Sequence, residues 1–121
     1  MKITKQIKPG LTIEIEAPTQ KDMWAELASA EEVFGEFGCG KCGSKNLRHT
    51  VRTNGKHTYY ELKCMAVGCG AKLAMGVHDN DKGTLFPKRK DNEEGDTTGE
   101  ACAYLPDRGW LKWNPETKKQ Y

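Results

Sequence analysis

Four cysteines of this 121-residue chain form two close pairs. Cys39 and Cys42 are separated by two residues and Cys64 and Cys69 by four, with 21 residues between the pairs. Both pairs lie in glycine-rich stretches, in which a short turn can supply two thiolates and let backbone N–H groups approach the sulfur atoms. Four thiolates form a closed tetrahedral site. The spacing therefore predicts one structural Zn²⁺ ion bound by Cys39, Cys42, Cys64 and Cys69.

Other chemistries fit this pattern less well. A catalytic zinc keeps one coordination position open, whereas four cysteines close the shell. A Cys-x2-Cys redox pair would need a thioredoxin-like βαβ context, which is missing. Sulfur ligation also admits iron, but the isolated Cys102 does not supply a cluster, and His49, His57 and His78 lack ligand-pair spacing. We find no carboxylate pair, nucleophile–base set or phosphate loop, so the chain is not predicted to be an enzyme.

A second group of residues could bind an anionic partner. Residues 36–90 carry 11 basic and 4 acidic side chains, whereas residues 1–35 and 91–121 are net acidic. Cations that contact phosphates, interleaved with rings that stack on bases, are what sequence-tolerant single-strand binding requires. The pattern predicts nucleic-acid binding, with single-stranded DNA favoured. The predicted binding residues are Arg48, Arg52, Tyr59, Lys63, Lys72, Phe86, Lys88, Arg89 and Lys90.

The same residues also allow a structural interpretation. Arg48 opposite Glu61 would be an ordinary cross-strand pair, and Tyr59 and Phe86 would cover a small core. The alternative function is a protein-binding adaptor, or an inhibitor of a host protein, that uses the metal-pinned unit as a scaffold. Its partner would contact the acidic segment 91–100 or the C-terminal tail.

The cysteine pairs need elements that bring them together, and the sequence predicts a hairpin between them. Residues 47–53 and 56–63 are rich in β-forming residues and flank Asn54-Gly55, a strong hairpin signal. A third strand is expected at 71–77. A turn at Asn54-Gly55 would pair Arg52 with His57, Thr50 with Tyr59, and Arg48 with Glu61. The other face would hold Leu47, His49, Val51, Tyr60 and Leu62.

Upstream of the cysteines, the sequence predicts a strand and a helix. Residues 11–16, LTIEIE, alternate apolar and polar side chains as in a half-buried strand. Thr19 is placed to cap a helix of about four turns, with Asp22 in a capping-box-like position and Gly35 at its end. The apolar stripe of this helix would be Met23, Leu27, Ala30 and Phe34, flanked by Trp24.

These elements predict an α+β fold, a three-stranded antiparallel ribbon with an N-terminal strand and helix packed on or beside it. The expected division is a strand–helix unit at 1–38, the ribbon at 39–78 and a loop and tail at 79–121, whose tryptophans dock back on the body. The chain is 36% hydrophobic and 30% charged. It has no N-terminal apolar h-region and no apolar run long enough to span a membrane. We expect a cytoplasmic location, in a bacterial or phage-infected host cell, with no membrane partner.

The residues CGKCGSKN, the strands around Asn54-Gly55 and YYELKCMAVGCGAKL resemble zinc ribbons, over about residues 39–77. This superfamily includes transcription factors, ribosomal proteins and the C-terminal ribbons of type I topoisomerases, which hold single-stranded DNA. The Cys-x4-Cys pair is most similar to the topoisomerase type. The layout also resembles small phage-encoded zinc-ribbon proteins, which implies a role in phage DNA replication or recombination.

Overall fold

The structure, a computed structural model, describes residues 1–79, 82–89 and 105–121. The chain divides into two compact units, Met1–Phe37 and Gly38–Tyr121. One α-helix and several antiparallel sheets make up the described residues, so the predicted α+β class is confirmed. No helix in these residues combines the length and apolar character needed to cross a membrane.

The first unit begins with a β-hairpin. The predicted strand forms as β2 (Leu11–Glu16), with its apolar side chains half-buried and its polar ones exposed. It pairs antiparallel with β1 (Lys2–Lys8), which was not predicted. The register shifts between Gln6 and Lys8, and this irregularity breaks the simple alternation by which a strand is recognised. The tight turn between the strands contains Gly10 at a φ of 84°, in the left-handed region that favours glycine.

Helix α1 (Gln20–Phe34) follows, with the predicted cap. The Thr19 hydroxyl accepts a hydrogen bond from the Asp22 N–H at 3.1 Å, which satisfies one of the free N–H groups of the first turn. Met23 is buried as predicted, but Phe34 is 39% exposed and Val33 is buried in its place. The prediction placed the end of the stripe one residue too far along the chain. Adjacent positions of a helix point about 100° apart, so when Val33 faces the core its neighbour Phe34 points away from it.

The second unit contains a four-stranded antiparallel sheet in the order β3-β4-β5-β6. The strands are β3 (Leu47–Asn54), β4 (His57–Cys64), β5 (Lys72–Val77) and β6 (Leu85–Pro87). The first three correspond to the three strands expected from the sequence. The fourth was not predicted, because three residues ending in proline give no alternation to detect, and proline is confined to positions such as sheet edges. The sheet is therefore wider than the expected ribbon.

The register of the central hairpin differs from the prediction by two residues. The turn is formed by Gly55 and Lys56, and Asn54 already pairs with His57. Gly55 has a φ of 63° at the first central position, where a type II′ turn accepts glycine. The predicted cross-strand pairs are therefore wrong: Arg52 lies opposite Tyr59, Thr50 opposite Glu61 and Arg48 opposite Lys63. A shift of two residues leaves every side chain on its predicted face, because side chains alternate with a period of two.

The core of the second unit lies between the sheet, the cysteine turns and residues 105–121, which we call the C-terminal segment. Its buried cluster consists of Cys39, Leu62, Cys64, Ala71, Leu73 and Trp110. Trp110 is completely buried, which confirms for this residue the expectation that the tail docks back, whereas Trp113 is 55% exposed. The tail adds a small hairpin of β7 (Trp113–Asn114) and β8 (Lys119–Gln120). Reciprocal backbone hydrogen bonds also join Leu111 to Lys72, at the start of β5.

Candidate metal centre and basic sheet face

The four predicted ligands come together at one end of the hairpin. The sulfur atoms of Cys39, Cys42, Cys64 and Cys69 all lie within 4.8 Å of one another. The Sγ atoms of Cys39 and Cys69 are 3.7 Å apart, and those of Cys42 and Cys64 are 3.5 Å apart. A disulfide would require about 2.05 Å, whereas a tetrahedral site with 2.3 Å metal–sulfur bonds places its sulfurs about 3.8 Å apart. The cluster therefore fits a single metal ion.

Backbone N–H groups point at these sulfurs, as the glycine-rich turns predicted. The Cys39 Sγ accepts hydrogen bonds from the N–H groups of Lys41 at 3.3 Å and Cys42 at 3.5 Å. The turn is closed by the Gly43 N–H, which donates to the Cys39 carbonyl at 2.9 Å. Gly43 has a φ of 76°, which an L-residue adopts only with strain. Donors of this kind stabilise a thiolate and orient it toward a metal.

The thiols of Cys39, Cys42 and Cys64 differ in proton affinity. Burial raises the pKa of Cys64 to about 12, and burial also raises the pKa of Cys39. The pKa of the exposed Cys42 is lowered to about 7, first of all by a hydrogen bond from the Ser44 N–H. The buried thiols thus hold their protons at neutral pH unless a cation displaces them. A bound divalent ion would compensate the charge that burial otherwise disfavours.

The C-terminal segment braces both cysteine turns, which the sequence did not predict. The Lys41 ammonium pairs with the Asp107 carboxylate at 2.9 Å, with both side chains largely buried. Gly40 lies so close to Trp110 that a Cβ there would be 2.6 Å from the indole Cδ1, and closer still to the Asp107 carbonyl. At the second turn, the Lys112 ammonium donates to the Gly68 carbonyl at 3.2 Å. Residues 107–112 are therefore part of the support of the candidate metal centre.

Most of the predicted nucleic-acid-binding residues share one face of the four-stranded sheet, which we call the basic face. By register, it is formed by Arg48, Thr50, Arg52, Tyr59, Glu61, Lys63, Lys72, Ala74, Gly76 and Phe86. The opposite face carries Leu62 and Leu73, which belong to the core. The basic face thus has four cations and one carboxylate, and it is turned away from the buried cluster.

Glu61 divides the cations of the basic face into two groups. Its buried carboxylate pairs with Arg52 at 2.7 Å and with Lys72 at 3.4 Å, and not with Arg48 as predicted. Burial raises the Glu61 pKa, but the hydrogen bond from Arg52 and the charges of Lys72 and Arg52 outweigh it, so that the pKa lies below its ordinary value. Among the described residues, Arg48 and Lys63 have no side-chain ion pair or hydrogen bond.

The two aromatic residues of the basic face, Tyr59 and Phe86, also have different neighbours. The Tyr59 ring is covered by the Arg52 guanidinium, whose Cζ lies 4.3 Å from the ring centroid. The Phe86 ring lies over Gly76 on the neighbouring strand and 4.8 Å, between centroids, from the ring of His78. Glycine is required at residue 76, because a Cβ there would be 2.7 Å from both Cε atoms of the ring.

The remaining predicted residues lie near β6 or outside the described part of the chain. Lys88 is exposed, and its N–H donates to the Ala74 carbonyl at 2.7 Å. The Arg89 guanidinium donates to the Arg108 carbonyl in the C-terminal segment, which the sequence could not indicate. Lys90, the acidic segment 91–100 and Cys102 lie outside the described residues.

Comparison with known proteins gives no match: no family model fits the chain, and no curated protein or solved structure is significantly similar to it. The resemblance to zinc ribbons therefore depends on the cysteine spacing and the hairpin alone.

Proposed function

We propose that this protein binds single-stranded nucleic acid, with DNA favoured, through the basic face of its sheet. The observation that carries the proposal is that six residues predicted from the sequence as binding residues lie on one face. These are Arg48, Arg52, Tyr59, Lys63, Lys72 and Phe86. A sheet face with cations and rings suits a single strand, whose unpaired bases can stack while its phosphates meet the cations.

We further propose that the metal is Zn²⁺ and that its role is structural. Four cysteine sulfurs at these distances match the ligand set of closed zinc sites, and no position remains open for a substrate. The ion would hold the two cysteine turns together and so keep β3 and β4 in register. Elemental analysis of purified protein should give one zinc per chain. A stoichiometric content of iron instead, with thiolate-to-iron absorption, would contradict this assignment.

The binding proposal is tested by titrating a fluorescent poly-dT oligonucleotide and measuring its anisotropy between about 50 and 200 mM salt. The logarithm of the affinity should fall linearly with the logarithm of the salt concentration. Arg48→Glu/Lys63→Glu should weaken binding and reduce the magnitude of this slope by about 1.4, since each phosphate contact to a single strand contributes about 0.7.

A matched control reverses two charges away from the basic face. Lys118→Glu/Lys119→Glu changes two exposed cations of the β7–β8 hairpin by the same total charge. This variant should keep the wild-type slope. No anisotropy change with wild-type protein at low salt, or equal losses in both double variants, would contradict binding through the basic face.

The alternative, a protein-binding adaptor or inhibitor, is favoured by one observation. Met65 and Val67, in the second cysteine turn, expose apolar side chains, with Val67 fully exposed and Met65 at 41%. Contiguous exposed apolar side chains mark protein-docking sites, and Met65 and Val67 would form the centre of such a patch. If a Met65→Ser/Val67→Ser variant lost a nuclease-resistant stoichiometric partner while keeping oligonucleotide affinity, the adaptor function would stand beside the first.

A further inference from the structure

We infer that Phe86, laid flat on Gly76, is the base-stacking platform of the basic face, and that Arg48, Lys63 and Lys88 supply its phosphate contacts. This inference rests on the proposed function and deepens it. It assigns Arg52, Lys72 and Arg89 to positioning within the protein, although their residue types suit phosphate binding equally well.

The orientation of the Phe86 ring follows from its distances to Gly76. A Cβ on Gly76 would lie 2.7 Å from each of the two Cε atoms and nearer still to Cζ. If the Cβ position instead lay in the plane of the ring, outside its edge and at the same distance from Cζ, it would be more than 3 Å from each Cε atom. The Cβ position is therefore beneath the face of the ring. Because that Cβ direction leaves the sheet roughly perpendicularly, the ring lies along the sheet with its other face directed outward.

The outer face of Phe86 is the feature that a base requires. Phe86 is half-buried, with one face against Gly76 of β5, and its ring centroid lies 4.8 Å from that of His78 at an interplanar angle of 46°. A nucleobase can stack on an aromatic face whatever its sequence identity, because every base has a π-face. Tyr59 is less suited to this role, because the Arg52 guanidinium already lies over its ring. One face of Tyr59 is thus occupied by a cation of the protein itself.

The cations divide by their existing partners. Arg52 and Lys72 are held by the buried Glu61 carboxylate, and Arg89 by the Arg108 carbonyl. Moving Arg52 and Lys72 onto phosphates would leave the Glu61 charge buried without its partners, which is unfavourable, and moving Arg89 would break its hydrogen bond to the Arg108 carbonyl. In contrast, the side chains of Arg48, Lys63 and Lys88 are exposed and form no ion pair among the described residues. These three can meet phosphates without that loss.

The ligand class is therefore a single strand of several nucleotides with at least one unstacked base, because Arg48 and Lys63 lie four residues along their strands from the row of the sheet that contains Phe86. Among the described residues the basic face has one carboxylate, Glu61, and it is already paired with Arg52 and Lys72, so we expect little preference among bases. The contributions of base stacking and of phosphate contacts to the affinity depend on different residues. Each contribution can therefore be removed by its own substitution.

The test compares poly-dT with an oligonucleotide of the same length and charge in which abasic spacers replace the central nucleotides. Wild-type protein should prefer poly-dT by about 5- to 150-fold, the range expected for one stacked base. Phe86→Leu should lose this preference while its affinity for the abasic strand and its salt slope stay unchanged. Arg48→Gln should reduce the magnitude of the salt slope by about 0.7, whereas Arg52→Gln and Lys72→Gln should leave it unchanged.

Gly76→Ala gives an independent test, because it displaces the ring while leaving Phe86 in place. It should lower the preference for poly-dT as Phe86→Leu does, and it should have no further effect in the Phe86→Leu background. Thermal unfolding of each variant shows whether the fold is kept. If Gly76→Ala unfolds the protein, photo-crosslinking of 5-iodouracil DNA to wild-type protein replaces it, and adducts at Phe86 are expected.

The outcomes separate the two proposals. If neither oligonucleotide binds, the proposed function fails and this inference fails with it. If both bind equally well, or if Gly76→Ala and Phe86→Leu keep the full preference for poly-dT, nucleic-acid binding stands and the stacking platform is wrong. A reduced slope in Arg52→Gln or Lys72→Gln would overturn the division of the cations. An RNA strand of the same sequence, run in parallel, shows whether the sugar matters.

Discussion

In the unit Met1–Phe37 the buried apolar side chains among the described residues are Ala17, Met23 and Val33, whereas the unit Gly38–Tyr121 has one connected buried cluster. The first unit is held by hairpin hydrogen bonds, a capped helix and ion pairs such as Lys2–Glu14, in which both side chains are more than half exposed. Exposed pairs of this kind contribute about 0–1 kcal/mol each.

The cluster of the second unit differs because Cys39 and Cys64 belong both to the core and to the candidate metal site. A small core rarely stabilises a short chain unaided, and a metal is one of the usual additions. Here the candidate metal ligands and the packing residues are partly the same side chains. Stability in this unit is therefore concentrated at one point, whereas in the first unit it is spread over many weak local interactions.

Metal removal should have the largest effect. Chelation, or Cys64→Ser, should abolish amide-exchange protection in β3, β4 and β5, because structural zinc contributes about 10–16 kcal/mol in zinc-finger peptides, as much as a whole domain's stability. Hydrogen-exchange mass spectrometry resolves these strands from α1. Cys102→Ser, outside the predicted ligand set, is the matched control and should keep both metal and protection. Protected strands after complete metal loss would show that the core does not depend on the ion.

Truncation of Trp110 comes next. Trp110→Ala should lower the free energy of unfolding of the second unit by about 3–5 kcal/mol, because a fully buried indole is removed from the wall of the cysteine cluster. Trp113→Ala, at a half-exposed indole three residues away, should cost within about 0.5 kcal/mol. Urea unfolding with excess zinc measures both. Similar losses for the two variants would contradict a core centred on the cysteines.

The stability of the first unit should depend most on local interactions such as the N-cap of α1. Thr19→Ala removes the hydroxyl that accepts the Asp22 N–H, and it should destabilise α1 by about 1 kcal/mol. The measurement is amide exchange within residues 20–34. Thr19→Ser keeps the acceptor and should keep most of the protection. If Thr19→Ala exchanged like the wild type, the cap would not be what limits this helix.

The smallest effect is a dependence on pH. The Glu61 pKa is lower in the folded protein than its ordinary value of 4.5, so its pairing contributes stability above that value and loses it as pH falls through the folded pKa. The difference in unfolding free energy between wild type and Glu61→Gln should be constant from about pH 6 to 8 and should shrink below about pH 4.5. Urea unfolding across this range tests it.

Glu14→Gln, in an exposed pair of the first unit, is the control for Glu61→Gln. Its effect should stay within about 1 kcal/mol at every pH. If the difference in unfolding free energy between wild type and Glu61→Gln grew as the pH fell, the direction assigned to the Glu61 pKa shift would be wrong.

The predictable parts of this fold were those encoded by neighbouring residues. Cysteine spacing located the sulfur cluster, and Thr19 located the start of α1. The hairpin register was wrong by two residues, since Asn54-Gly55 and Gly55-Lys56 both allow a tight turn that keeps each face intact. Only the packing of both strands against the rest of the unit decides between them.

The features that escaped prediction depend on distant residues. Glu61 finds Arg52 and Lys72 on two different strands, and Gly76 matters only because Phe86 lies over it. The role of Gly40 is set by Trp110, which is 70 positions away in the sequence. Composition placed the cations in the middle of the chain, but it could not show which of them already had a partner.

The approach of Trp110 to Gly40 also has a consequence for the newly made chain. All four cysteines of the cluster have been synthesised once Cys69 has been added, but Trp110, which packs in one buried cluster with Cys39 and Cys64, follows 41 residues later. At about 5–20 residues per second, the ribosome needs roughly 2–8 s for that interval. Until Trp110 has been added, the buried cluster that contains Cys39 and Cys64 is incomplete. The order of synthesis thus makes both cysteine turns available before the residue that packs against them.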